Sequence, residues 1–376
     1  MAEMTAIERV NKHVNLEKPD RVGIAPMGEF YYASLVKGIT LADMLMDPWK
    51  ADQAFEAGFK QHGGFDMAEV GFLLAMYMNP IPDQFSTYYV DWHLPGREFP
   101  PNTEPNLNER AKEDPLMTEA DYDLLLKEGF HRFFTFERAG LADLAKLATV
   151  TPQTADIVRK WYEQYHVPTM IDSSMNEPLS TLARLRGTTN FLLDLRRCPD
   201  KVLAVLDILC DGLIASGLAL AEMAHSRTLI LGAVNGSADF VSQAMFEKFQ
   251  LPFLVRAANA AVAAGYRLQY HFDTDWTPRL ESLKALPPKS GFLHLDERTD
   301  IVQAKKVLGD HLCLQGNLKP SQLRFGKVVE IENEVKRIID NCGGNGGLII
   351  SAELTMDSKF ELVDAMVQTT KKYGAY

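Results

Sequence analysis

The chain has 376 residues and a formal net charge of −11, with 46% hydrophobic and 24% charged residues. That composition can bury a large core, and its acidic balance argues against a general nucleic-acid or anionic-membrane binder. The N-terminus MAEMTAIERV lacks the apolar stretch of a signal peptide, and the sequence reads as having no apolar run approaching the ~18 residues of a membrane span, so a cytoplasmic protein is expected.

Eight β-rich runs follow one another in order: 22–27, 66–72, 169–174, 229–234, 267–272, 291–296, 311–316 and 347–352. Helical patterns separate them, as in 199–224 and 246–265, where apolar residues recur every three or four positions. Strand alternating with helix predicts a parallel sheet, and eight repeats predict a (β/α)8 TIM barrel. No G-x-G-x-x-G follows any run, which argues against a dinucleotide-binding sheet. Residues 1–20 are expected to close the bottom of the barrel. Residues 77–117, rich in proline and aromatic side chains, have no helical period and are expected to form a lid or hairpin inserted after the second strand. No linker divides the rest, so one domain is expected over 1–376. The four cysteines form no CxxC pair, and Cys313 reads as a core residue.

Barrel chemistry gathers just past the C-terminal strand ends. Those positions hold Glu29, Tyr31 and Tyr32 after strand one, and Glu69 and Phe72 at strand two. Next come Asp172, Asn176 and Glu177, then Asn235, then His271 and Asp273, then Asp296, then Gln315 and Asn317, and last Glu353. Any one acid there can be a helix cap instead; the recurrence around the ring carries the information. His271 and Asp273, two apart on one strand, point to the same side. With Glu353 they form a candidate metal set, although a hydrogen-bonded pair without an ion fits the same spacing. His294, in a short apolar strand, reads as structural. Glu29, Glu69, Glu177 and His271 are the candidate acid–base groups. Tyr31, Tyr32, Phe72, Asp172, Asn176, Asn235, Gln315 and Asn317 are the candidate substrate contacts.

The segment Leu314-Gln315-Gly316-Asn317-Leu318-Lys319-Pro320 resembles the LQGNLDP motif of the uroporphyrinogen decarboxylase superfamily, with Lys319 in place of its aspartate. The run 178–187, the His271-Phe272-Asp273 strand and the glycine-rich turn before the last strand are similar to that superfamily too, over about residues 5–370. The decarboxylase's own determinants differ. Residues 27–32 lack arginine, Ala68-Glu69 stands for the FSD aspartate, and Ser351-Ala352-Glu353 for GHG. The chain looks closer to the corrinoid-dependent methyltransferase branch, whose thiol-methylating members bind zinc through His-x-Cys and a later cysteine. His271 matches that histidine, while Asp273 and Glu353 replace the cysteines with harder oxygen ligands.

The resemblance therefore implies methyl transfer between a corrinoid-binding protein, carrying methylcobalamin, and a small molecule. The candidate methyl donors and acceptors are a methyl ether, such as a methoxylated aromatic, and tetrahydrofolate. Zinc is the candidate metal and a homodimer the candidate assembly. The aromatic and methionine supply at Phe30, Tyr31, Tyr32, Phe72, Met76–Met78, Phe85, Tyr88, Tyr89 and Trp92 suits a flat apolar ligand. Decarboxylation of a small carboxylic acid is the alternative.

Overall fold

The computed structural model describes residues 3–28, 30–69, 90–93, 95–96, 99–104, 106–109, 115–133 and 152–376. Strands are numbered β1 (Gly23–Ile24), β2 (Val90–His93), β3 (Asn106–Glu109), β4 (Ser173–Ser174), β5 (Thr228–Gly232), β6 (Arg267–Phe272), β7 (Gly291–Leu295), β8 (Cys313–Leu318) and β9 (Leu348–Ala352). Seven of them make one parallel sheet in the order β1-β9-β8-β7-β6-β5-β4. The segment around Ala68 fills the gap between its ends. Asp66 N–H donates to the Ile24 carbonyl at 2.7 Å, and Ala68 forms a parallel bridge with Thr169, supported by Ala68 N–H to Pro168 O at 2.9 Å. The ring closes into the TIM barrel.

Inside the ring, side chains stack in layers, as barrel sterics require. The floor is apolar: Val10, Val14, Met67, Ile230, Phe292, Cys313 and Ile349 form a separate buried cluster. Val10 and Val14 come from the helix Ala6–Val14, which plugs the barrel from below; its Thr5/Glu8 capping box starts it sharply. Above the floor, Gln269 Nε2 reaches Gln315 Oε1 at 3.2 Å, and Gln315 Nε2 reaches Ser351 Oγ at 3.3 Å. The topmost layer is ionisable.

The excursion contains an antiparallel hairpin in which Val90 faces Glu109 and His93 faces Asn106. Its neighbouring segment is tied to the connections after β1 and β9. Ala42 N–H donates to Pro101 O (3.0 Å), Leu41 N–H to Asn102 Oδ1 (3.0 Å) and Met356 N–H to Glu104 Oε1 (2.5 Å). These connections leave the same end of the barrel as Glu353.

One expectation needs correction. The helix Pro199–Met223 is long and apolar enough to cross a membrane, with a mean hydropathy of 2.0. Its apolar character has another use, because Val202, Val205, Leu206, Leu209, Leu213 and Leu220 form a buried face of the core. Asp207 and Asp211 on its outer face engage Arg256. Its length matches the 199–224 pattern read from the sequence, and the periodicity shows a one-sided core helix.

Candidate active site at the barrel mouth

The register of β6 and β7 builds the site. His271 is paired directly with His294 across the two parallel strands, so both side chains leave the same face of the sheet. Their rings stack in parallel with centroids 4.9 Å apart. Glu353, just past β9, brings Oε1 to 3.9 Å from His271 Nε2 and 3.8 Å from His294 Nδ1. One ligand atom from each of these three residues lies within 4.8 Å of the others. Asp273 Oδ1 lies 2.8 Å from His271 Nε2. Glu69, 1% exposed, accepts the Gly28 N–H on Oε2 at 2.5 Å.

This layer is polar but incompletely bonded. His271 Nδ1, His294 Nδ1, Glu353 Oε1 and Glu69 Oε1 are all sealed from solvent and lack a hydrogen-bond partner among the described residues. Each such group costs about 1–3 kcal/mol when left unsatisfied. Four within one layer give a bound ligand open positions to complete. Glu353 is the most open member, with 42% of its side chain exposed, although its Oε1 is enclosed.

Electrostatics divides the groups by role. Burial, against the Gly28 hydrogen bond and aided by Glu353, pushes Glu69 up to about 8. Burial, with Asp273, Asp296 and Glu297 nearby, pushes Glu353 up to about 7. Burial alone would lower His271, but the adjacent Asp273 carboxylate overrides it and holds the ring up at about 9. The same pairing outweighs burial at Asp273 and lowers it to about 2. Burial and the neighbouring His271 charge push His294 down to about 3, leaving it neutral with a lone pair free. Neutral His294 and the enclosed Glu353 oxygen offer lone pairs to a divalent ion such as zinc, and His271, with Asp273 beside it, would join them on giving up its proton to the ion.

Several residues expected at the mouth lie elsewhere. Tyr31 and Tyr32 are fully buried. The 3-10 helix Tyr31–Leu35 turns Tyr31 Oη onto His62 Nε2 (2.9 Å) and Tyr32 onto Phe55, ring to ring at 4.7 Å. Asp172 lies at the opposite end of the barrel, where it accepts the backbone N–H groups of Arg227 (2.7 Å) and Thr228 (3.0 Å) at the start of β5. Glu177 is the N-cap of the helix Pro178–Arg186. It accepts Leu179 and Ser180 N–H at 2.8 Å each and Gln250 Nε2 at 3.0 Å, so its oxygens are occupied.

Gln315 belongs to the layer below the site, and Asn317 Nδ2 ties the loop after β7 through Asp296 O (3.0 Å) and Thr299 O (2.8 Å). Asn235, buried, bonds through its own N–H to Ser180 Oγ (3.4 Å), and Asn176 is half-buried. Glu29 and Phe72 lie outside the described residues, as do Met76–Met78, Phe85, Tyr88 and Tyr89.

His294 is the residue the sequence reading assigned to structure. A usable signal was present, because His271-Phe272-Asp273 and His294-Leu295-Asp296 repeat one His-x-Asp spacing at successive strand ends.

Comparison with known proteins matches residues 133–373 to the uroporphyrinogen decarboxylase (URO-D) family. The chain belongs to the URO-D family. Among curated members, uroporphyrinogen decarboxylase of Aromatoleum aromaticum is 28% identical over 181 residues, 47% of this chain and 49% of that protein. The enzyme of Geotalea daltonii is 33% identical over 113 residues, 30% of this chain and 31% of that one. The chain thus spans half or less of the curated URO-D relatives it matches. Among solved structures, a methyltransferase from Methanosarcina mazei superposes over 99% of both chains with a TM-score of 0.70 at 17% identity, showing a shared barrel fold.

Proposed function

We propose that this URO-D family member is a corrinoid-dependent methyltransferase, moving a methyl group between a small molecule and a separate corrinoid protein. The observation that carries this reading is the convergence at the mouth of the barrel of His271, His294 and Glu353, each with one enclosed atom lacking a partner among the described residues. A divalent ion held there, zinc being the best match, would supply Lewis acidity to the heteroatom that bears the methyl group. The corrinoid of the partner would supply the nucleophile that accepts the methyl.

The protein's own groups then have defined tasks. Asp273 fixes the His271 ring through Nε2, and the β6–β7 pairing fixes His294 against it. Glu69, held by the Gly28 N–H and raised to about 8, carries a proton at neutral pH on a carboxyl with a free oxygen. In demethylation of an ether, the C–O bond breaks, the methyl passes to the carrier and the oxygen takes that proton, so an alcohol leaves. The carboxylate ligands suit an ether oxygen better than a thiol. With Tyr31 and Tyr32 turned into the core, an aromatic donor would have to find its apolar wall elsewhere, and transfer to tetrahydrofolate remains a second direction for the same site.

The names of the curated relatives favour a second reading, decarboxylation of a small carboxylic acid without corrinoid. Asp273, ionised, and Glu353, which titrates near 7, oppose a carboxylate substrate electrostatically. Purified chain, zinc, a methylated or reduced corrinoid protein and a panel of methoxyarenes and tetrahydrofolate decide between them. Corrinoid-dependent methyl transfer supports the proposal; CO2 release from carboxylic acids without corrinoid supports the alternative and removes it.

A further inference from the structure

The N-terminal edge of β5 and β6, outside the apolar floor and remote from the mouth, carries a polar cavity. The chain enters β5 through Ser226-Arg227 and β6 through Tyr266-Arg267, and Arg267 N–H bonds to the Arg227 carbonyl at 3.0 Å. Two arginines therefore stand side by side at the N-terminal edge of neighbouring strands. With Asn11, Tyr162 and Tyr266 they line a cavity of about 350 Å3, inside the ~300–1,000 Å3 range of small-molecule sites.

Neither guanidinium is committed to an anion. Arg227 lies over the Tyr162 ring at 4.0 Å, and Arg267 Nη2 donates to the Asn11 side-chain oxygen. Among the described residues neither makes a salt bridge. Asp172, the acid behind them, is engaged by the Thr169 hydroxyl and by the backbone N–H groups of Arg227 and Thr228. A chain of net charge −11 has acids to spare for two guanidiniums, and the bottom face of a barrel ordinarily serves stability alone. Two guanidinium forks lining one cavity, neither in a salt bridge among the described residues, match the oxygens of a phosphoryl group.

We propose that this cavity is a binding site for a small phosphorylated ligand, with Arg227 and Arg267 holding the phosphoryl oxygens. It opens at the opposite end from Glu353, so its occupant is neither methyl donor nor acceptor, and the inference stands apart from the methyltransferase reading.

Calorimetric titration of inorganic phosphate into the full chain, with chloride matching the ionic strength, tests it. Wild type is expected to bind one phosphate saturably, and acetate more weakly. Arg227→Ala and Arg267→Ala should each weaken phosphate by ~10-fold or more, and Arg227→Lys by less, because it keeps the charge and loses the fork. Thermal melts of each variant establish that it is folded. If an alanine variant unfolds, Arg227→Gln and Arg267→Gln carry the test by the same criterion of weakened binding. Absence of saturable binding in wild type, equal affinity for acetate, or unchanged affinity in the folded variants overturns the proposal.

Discussion

The two ends of the inner barrel treat charge in opposite ways. At the bottom, Asp66 is completely satisfied: it accepts from Arg9 Nη1 (2.7 Å), from Arg21 Nη1 (2.7 Å) and Nη2 (2.9 Å), and from Ile24 N–H (2.9 Å). Arg9 binds Asp20 as well, through Nε and Nη2 at 2.7 Å each. His13, pushed down to about 4 by burial, stays neutral between Arg21 O and Leu348 N–H. At the mouth, by contrast, four enclosed donor or acceptor atoms on His271, His294, Glu353 and Glu69 lack partners among the described residues. Both ends bury ionisable groups. The network around Asp66 is closed, which makes it a clamp on the helix that plugs the barrel, while the cluster at the mouth is left open for a ligand.

Substitutions at the two ends should separate these roles. The largest effect is expected from Glu69→Gln, which keeps the shape and removes the proton: methyl transfer falls by about 10²–10⁴-fold with the melting temperature nearly unchanged. Steady-state rates and melts on one preparation check this, and loss of fold with loss of rate would reassign Glu69 to structure. Asp66→Ala should do the reverse, costing about 3–5 kcal/mol by stranding two buried arginines, as read from denaturant unfolding. A cost below 1 kcal/mol would remove the clamp from the account. Asp273→Asn should weaken metal affinity by about 10–100-fold, as loss of a residue that orients a ligand does; competition with a chelator measures it.

The smallest effect concerns pH. Asp20, which burial would raise, is held down at about 2 by Arg9 and the Met4 N–H. Its folded value lies below the ordinary 3.8, so its contribution to stability is complete above that value and is lost as pH falls through about 2. Asp20→Asn should remove this part of the acid dependence, on the order of 1–2 kcal/mol. Unfolding curves at pH 5, 4 and 3 follow it, and identical slopes in both proteins would deny Asp20 that role.

The barrel was legible because strand and helix periods alternate clearly from 228 to 373, where each strand is a short apolar run and each helix a long amphipathic one. The site was legible only in part. His271, Asp273 and Glu353 follow from strand-end position. His294 does not, because β7 is buried on both faces and its sequence Gly291-Phe-Leu-His-Leu295 shows no alternation from which to read direction. Its partnership with His271 is set by register, which depends on the intervening turn rather than on either strand. Tyr31 and Tyr32 failed for a different reason. They follow β1 closely enough to seem mouth residues, but a 3-10 turn sends both rings outward into the helix layer. Glu177 precedes Pro178 and a helix, and capping claimed it.

Elemental analysis of purified wild type, His271→Ala and His294→Ala, each equilibrated with zinc and freed of excess, tests the central claim most directly. The account predicts about one zinc per wild-type chain, as three protein donors with an open position would hold it, and loss of that zinc in both folded variants. Wild type without zinc, or zinc retained undiminished in the folded His294→Ala protein, would contradict it.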